Sequence, residues 1–279
     1  MAKKKPVPFF VRYRLLVTAI FLAVITAVAA QSATNYQIPP MRGGPRIHGD
    51  LNVPKQPVAQ RQPDNRPRSA LPRLMPWRGP VKPLPTEPNA AAVIYEIPTS
   101  DPVVFLTIDD GVTHTPEIAD LLTSQHLPFT LFLDDHAIRN DYGYFAHLQA
   151  AGMTIQNHTV NHARLKNLTF DGQKAEICGA SDIFANSFGQ RPTLFRPPYG
   201  QFNDDTRRAV LECGMKAIVM WRSVVENGQV YFQFDKTHLE AGDIVVMHFT
   251  PNFPKDMEAF INQAQKDHLR IGRLEDWLK

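Results

Sequence analysis

The chain has 279 residues, and its 30 Lys and Arg nearly balance 27 Asp and Glu, leaving a net charge of +3. That balance, with no basic helix carrying interleaved aromatics in the second half, argues against nucleic acid as a partner. Most of the 24 prolines precede Ile108, so strand and helix patterns are confined to roughly residues 100–279, enough to bury a single core.

Lys3, Lys4, Lys5, Arg12 and Arg14 form a basic leader, and Leu15 to Ala30 follow as an uncharged apolar run. Ala27, Val28 and Ala29 fit a small-residue cleavage site, the layout of a secretory signal. The run is a little short of the ~20 residues that span a bilayer, yet as long as signal cores become. Residues 1–30 are therefore predicted to be a signal peptide or an uncleaved signal anchor. Either exports the rest, so the protein is expected outside the cytoplasm, secreted or anchored at the cell surface. It would touch the membrane only through this segment. Residues 31–101 are punctuated by proline and hold few large apolar side chains to offset the entropy of ordering. They read as a disordered, partly polyproline-like linker. Their excess of Arg and Lys suits an anionic envelope or simple solvation.

Residues 102–279 are predicted to form the folded domain. Val103 to Ile108 is an almost unbroken apolar and β-branched run, the pattern of a buried parallel strand, and it ends in Asp109, Asp110 and Gly111. A helix is expected over 116–125, with Thr115 as N-cap and Pro116 at its first position. A strand follows over 129–133, a helix over 141–151 stopped by Gly152, and a short strand over 153–156. Next come a long helix over 169–188 before Gly189, a strand over 193–195, and a helix over 204–213 before Gly214. Strands over 215–221 and 244–248 and an amphipathic helix over 255–266 complete the series. Strands alternating with helices imply a parallel sheet, either a compact and incomplete (β/α) barrel or an open doubly wound sheet. Cys178 and Cys213 lie on consecutive predicted helices, and export favours oxidation; a disulfide and two buried thiols are both open.

Candidate chemistry collects at the carboxyl ends of these strands, where α/β folds place their sites. Adjacent carboxylates at a strand end can serve different partners, so one of Asp109 and Asp110 can bind a metal while the other acts as a base. His158 and His162, in N-H-T-V-N-H, are spaced to share one face of a helical turn and reach one metal. Two histidines and a carboxylate suit zinc hydrolysis chemistry, and cobalt, nickel, iron or manganese accept the same set. In R-P-P-Y-G, the prolines fix the backbone, Arg196 can grip a carboxylate in bidentate fashion, and the Tyr199 N–H is free to donate. His248 closes the strand I-V-V-M-H.

Taken in order, T-I-D-D-G, H-T-V-N-H, R-P-P-Y-G and I-V-V-M-H resemble the polysaccharide deacetylase family, carbohydrate esterase family 4 (the NodB homology domain), over nearly all of residues 103–279. The resemblance implies a distorted (β/α) barrel that removes N-acetyl groups from amino-sugar polymers or O-acetyl groups from xylan. It implies Asp109 as general base, Asp110, His158 and His162 as metal ligands, Arg196 as the group positioning Asp109, the Tyr199 backbone in the oxyanion hole, and His248 as general acid. Pro198, Tyr199 and Trp221 would line the substrate, an acetylated polysaccharide such as peptidoglycan, a chitin-like polymer or xylan. Where the family usually carries Asp-x-x-Asp-Trp after a strand-end tryptophan, Trp221 is followed by R-S-V-V-E-N-G. The carboxylate that usually supports the histidine is thus missing. Glu226 is the nearest substitute in that loop, and Asp243 a weaker one, placed before the strand and so at the opposite end of the barrel. A non-catalytic carbohydrate-binding protein on the same fold, or a hydrolase of a small amide or cyclic imide, are the alternatives.

Overall fold

Strand β1 (Ala92–Ile94) opens a ten-stranded sheet that curls on itself. The computed structural model describes Leu84, residues 87–124, Leu127 and residues 129–278. The predicted leader and most of the predicted linker lie outside these residues. The boundary expected at 101/102 falls too late, because β1 pairs in parallel with a strand of the folded part, Ala92 opposite Ala217. Its short A-V-I run lacks the length that marks a strand in sequence, and only the neighbouring strand makes it one.

The next strands are β2 (Val103–Asp110), β3 (Thr130–Leu133), β4 (Thr154–Asn157), β5 (Leu194–Phe195), β6 (Ala217–Val219), β7 (Ser223–Glu226), β8 (Gln229–Phe232), β9 (Ile244–His248) and β10 (Arg270–Ile271). Between them run α1 (Pro116–Ser124), α2 (Asp135–Ile138), α3 (Tyr142–Ala150), α4 (Phe170–Phe188), α5 (Asp204–Glu212) and α6 (Phe253–Lys266). The spatial order is β1-β6-β5-β4-β3-β2-β9-β7-β8, with β10 pairing the start of β2, and every pairing is parallel except β7 with β8. The β7–β8 hairpin was not expected, although Asn227-Gly228, both at positive φ, is the turn such a hairpin requires.

The two margins of the sheet meet through the chain itself. Residues 220–222 run straight from β6 to β7; Met220 N–H donates to Ile94 O at 2.7 Å and Arg222 N–H donates to Ile244 O at 2.9 Å. This seam of single bonds replaces a full ladder, so the result is a curled, incomplete barrel and not an open doubly wound sheet.

Alternation along β2 sorts the core. Val104, Leu106 and Ile108 face outward onto α1, α3 and α6. Val103 and Phe105 face inward with Phe132, Leu194, Val219 and Ile244. A 3₁₀ turn, Leu274–Trp277, packs Trp277 edge-on to Phe105. There Glu275 accepts from Thr130 Oγ1, Thr154 Oγ1 and Gln156 Nε2 at 2.6–2.9 Å. Chemistry is thereby left to the other end of the strands. Cys178 on α4 and Cys213 at the end of α5 form a disulfide across 35 residues, which stabilises the fold by roughly 3–4 kcal/mol in the chain-entropy model.

Candidate active site

Asp109 is the last inward-facing residue of β2 and is only 2% exposed. A carboxylate there needs a partner, and Arg196, at the end of β5 and wholly buried, supplies it. Arg196 Nη1 donates to Asp109 Oδ1 and to Thr107 Oγ1, both at 2.6 Å, while Nε donates to Val219 O at 3.0 Å. The grip expected to be bidentate is therefore on one carboxylate oxygen, because the rest of the fork is engaged by the barrel wall. Burial pushes the Arg196 pKa down, against the charge of Asp109.

Asp110 has a left-handed backbone, φ 75°, which breaks the strand's alternation and turns its side chain away from Asp109. Gly111 continues the break at φ 102°, and a Cβ there would lie 2.5 Å from Ile138 Cγ2, so only glycine fits. Asp110 Oδ1 then lies 3.3 Å from His158 Nε2 and 3.4 Å from His162 Nε2. The ligand atoms of all three residues are within 4.8 Å of one another.

His158 is buried, and its Nδ1 is 2.7 Å from Arg196 O. A carbonyl can only accept, so Nδ1 holds the hydrogen and Nε2 of a neutral ring presents a lone pair to Asp110. Asp110 Oδ1 is buried with no hydrogen-bond partner. Lone pairs thus face one another across the cluster, an arrangement that demands a positive charge between them. Burial pushes Asp110 up, but the facing rings of His158 and His162 and the charges of His158 and His248 outweigh it and hold the carboxyl well below its usual range. Burial likewise pushes His158 down, and Asp110 and Asp109 more than reverse this. A carboxylate and two imidazoles fit a divalent cation of the zinc type.

His158 and His162 do not share a helical turn. They belong to an irregular loop in which Thr159 and His162 both have positive φ, 80° and 52°. Residues that sequence reasoning passed over hold the loop. Asn157 accepts from Thr159 N–H at 2.8 Å and donates to Ile177 O at 2.7 Å on α4. Asn161 donates through its backbone and its amide to the two oxygens of Glu176, at 2.8 and 2.7 Å. The asparagines flanking both histidines were the available signal, since such side chains bond to nearby backbone.

In the 3₁₀ turn Pro198–Gly200, Tyr199 is left-handed at φ 60°, and neither hydrogen bond of the turn uses its N–H. Its ring is 50% exposed and sits edge-on to His162 at 4.7 Å. Pro198 is buried beneath the turn, and Trp221 lies under Gly200 and 5.6 Å from the Arg196 guanidinium. His248 is paired with Asp109 in the β2–β9 register and is partly exposed. The nine residues singled out in sequence thus share one end of the barrel.

Residues 96–218 match the polysaccharide deacetylase family. An uncharacterized protein of Streptomyces coelicolor is 39% identical over 191 residues, 67% of this chain and 77% of its own. A peptidoglycan-N-acetylglucosamine deacetylase of Bacillus cereus is 27% identical over 165 residues, 56% of this chain and 76% of its own. The chain belongs to the polysaccharide deacetylase family. A family 4 carbohydrate esterase from Bacillus anthracis shares the fold, with a TM-score of 0.57 at 21% identity over 68% of this chain and 87% of that one.

Within this deacetylase domain the family match stops at Ile218, before Trp221, the hairpin and His248. The departure after Trp221 forms β7. Val224 pairs with Val246, so Glu226, two residues on, falls level with His248. Its side chain is exposed, and among the described residues no carboxylate forms an ion pair with His248. Asp243 is at the far end of β9, bound by Lys236 at 2.6 Å, as its position before the strand implied.

Proposed function

We propose that this protein is a metal-dependent hydrolase that removes N-acetyl groups from an acetylated envelope polysaccharide, with O-deacetylation the variant chemistry. The observation that carries the reading is the division of labour between adjacent carboxylates: Asp109 held by Arg196, Asp110 facing two imidazoles. A purely binding surface needs no such pair. The similarity to the Bacillus cereus enzyme supports peptidoglycan ahead of chitin-like polymers or xylan. The basic, apolar leader and the disulfide support a place outside the cytoplasm, secreted or anchored.

An acetamide carbonyl is a poor electrophile and an amine a poor leaving group. A divalent cation, zinc in this reading, held by Asp110, His158 and His162 supplies Lewis-acid polarisation of the carbonyl and acidifies water. Asp109 takes the proton of the attacking water, and the hydrogen bond from Arg196 keeps it aimed. The Tyr199 N–H donates to the developing oxyanion. His248, opposite Asp109 across β2 and β9, gives a proton to the departing nitrogen, so acetate and a free amine result. Pro198 and Trp221 shape the wall against which the sugar rests.

The test is acetate release from peptidoglycan, chitooligosaccharides and acetylxylan, with and without a chelator. Release abolished by chelation and restored by zinc is expected. Tight oligosaccharide binding with no acetate from metal-loaded protein would instead establish the non-catalytic reading, which the unsupported His248 favours. Release confined to small amides would move the protein to the third class.

A further inference from the structure

The catalytic reading leaves one exposed cation beside the site without a role. Arg164, two residues after His162, lays its guanidinium 4.1 Å from the centre of the Tyr199 ring. That ring is 4.7 Å from the ring of His162. The guanidinium is therefore within about 9 Å of a metal-site imidazole, the sum of those separations. Among the described residues Arg164 has no acidic partner. Most other arginines at this end are spoken for: Arg196 by Asp109, Arg139 by Asp135 at 2.9 Å.

Stacking on an aromatic face fixes a guanidinium's plane while leaving its N–H edge free, and a fixed fork matches a carboxylate in two parallel hydrogen bonds. The Tyr199 backbone is left-handed within the 3₁₀ turn, and its ring rests edge-on to His162. The fork is thus presented on the same exposed ring that borders His162. We infer that Arg164, seated on Tyr199, is a specificity residue that receives a carboxylate carried within one sugar unit of the acetamido group. The substrate class is then an acidic amino-sugar polymer and not a neutral one. The carboxylate can belong to an acidic ether on the same hexosamine or to a uronic acid in the adjoining unit. This inference rests on the deacetylase reading for its substrate, but Arg164 can be tested by binding alone.

The experiment measures calorimetric affinity of the zinc-loaded protein for three oligosaccharides of equal length. One carries lactyl-ether carboxylates, one alternates N-acetylglucosamine with glucuronate, and one is neutral chitooligosaccharide. Acetate release is followed separately. Wild-type protein should prefer one acidic oligosaccharide over the neutral one by roughly three- to tenfold, and which one identifies the carboxylate's source. Arg164→Gln should bring that preference close to one, as should methyl esterification of the ligand, which leaves the protein untouched. Arg164→Lys, keeping charge without the fork, should recover only part of it. Equal affinities in the wild type, a preference that survives Arg164→Gln, or full recovery with lysine would each overturn the assignment. Preference without acetate release would leave Arg164 standing and remove the deacetylase reading; acetate release without preference would do the reverse.

Discussion

The two sides of the active-site end are built to different standards. On the β2–β5 side, Asp109, His158 and Arg196 are buried and bonded to one another, and α4 holds the asparagines of the histidine loop. On the β7–β9 side, His248 has its backbone in a ladder but, among the described residues, no carboxylate paired with its ring, and Glu226 stands in solvent beside it. Low dielectric explains the difference. A buried charge left unpaired costs several kcal/mol, so each group on the first side requires the next. A half-exposed imidazole is satisfied by water and demands nothing of its neighbours. The groups on the side of Asp109, Asp110 and the two histidines thus depend on one another, and the side of His248, the acid of the proposed mechanism, is where the chain departs from its family.

Four substitutions probe that contrast. The largest effect is expected from the adjacent aspartates. Asp109→Asn should lower acetate release about a hundredfold to ten-thousandfold with metal content unchanged, whereas Asp110→Asn should lose metal and activity together. Metal analysis beside turnover separates them, and metal loss in Asp109→Asn would mean that the two roles are exchanged. An intermediate effect is expected at the loop clamp. Glu176→Gln should weaken metal affinity by about tenfold in a chelator competition, with activity recovering at saturating metal. Unaltered affinity would show that Asn157 alone holds the histidine loop. The smallest effect is expected on the other side. Glu226→Gln should alter turnover by less than about twofold and leave both limbs of the pH–rate profile in place, because exposed charges interact weakly. A displaced basic limb would show Glu226 engaging His248 in the working enzyme, and the two sides would then be less unlike than they stand here.

Much of this protein is decided by local sequence. Periodicity, N-caps such as Thr169 and Asp141, and the left-handed stop at Gly189 set the five longer helices within a residue or two, because those signals act within one turn, whereas the four-residue helix α2 was too short to show a period. The strand ends bearing Asp109, Asp110, Arg196 and His248 were legible for the same reason: buried parallel strands are continuous apolar runs, and polar residues stand out where they end. What sequence alone could not decide depends on neighbours distant in the chain. Strand β1 exists because β6 is beside it. The barrel closes as a seam because three residues after β6 meet both Ile94 and Ile244. The histidine pair meets Asp110 through a loop with two positive φ angles and not through a helical turn, since Asn157, Asn161 and Glu176 supply bonds that a four-residue spacing does not encode. Arg196 grips a single oxygen because Thr107 and Val219 claim its other donors. Local preference selects the elements, but a buried polar group takes whatever partner the packed fold brings within reach, and that choice is made only in three dimensions.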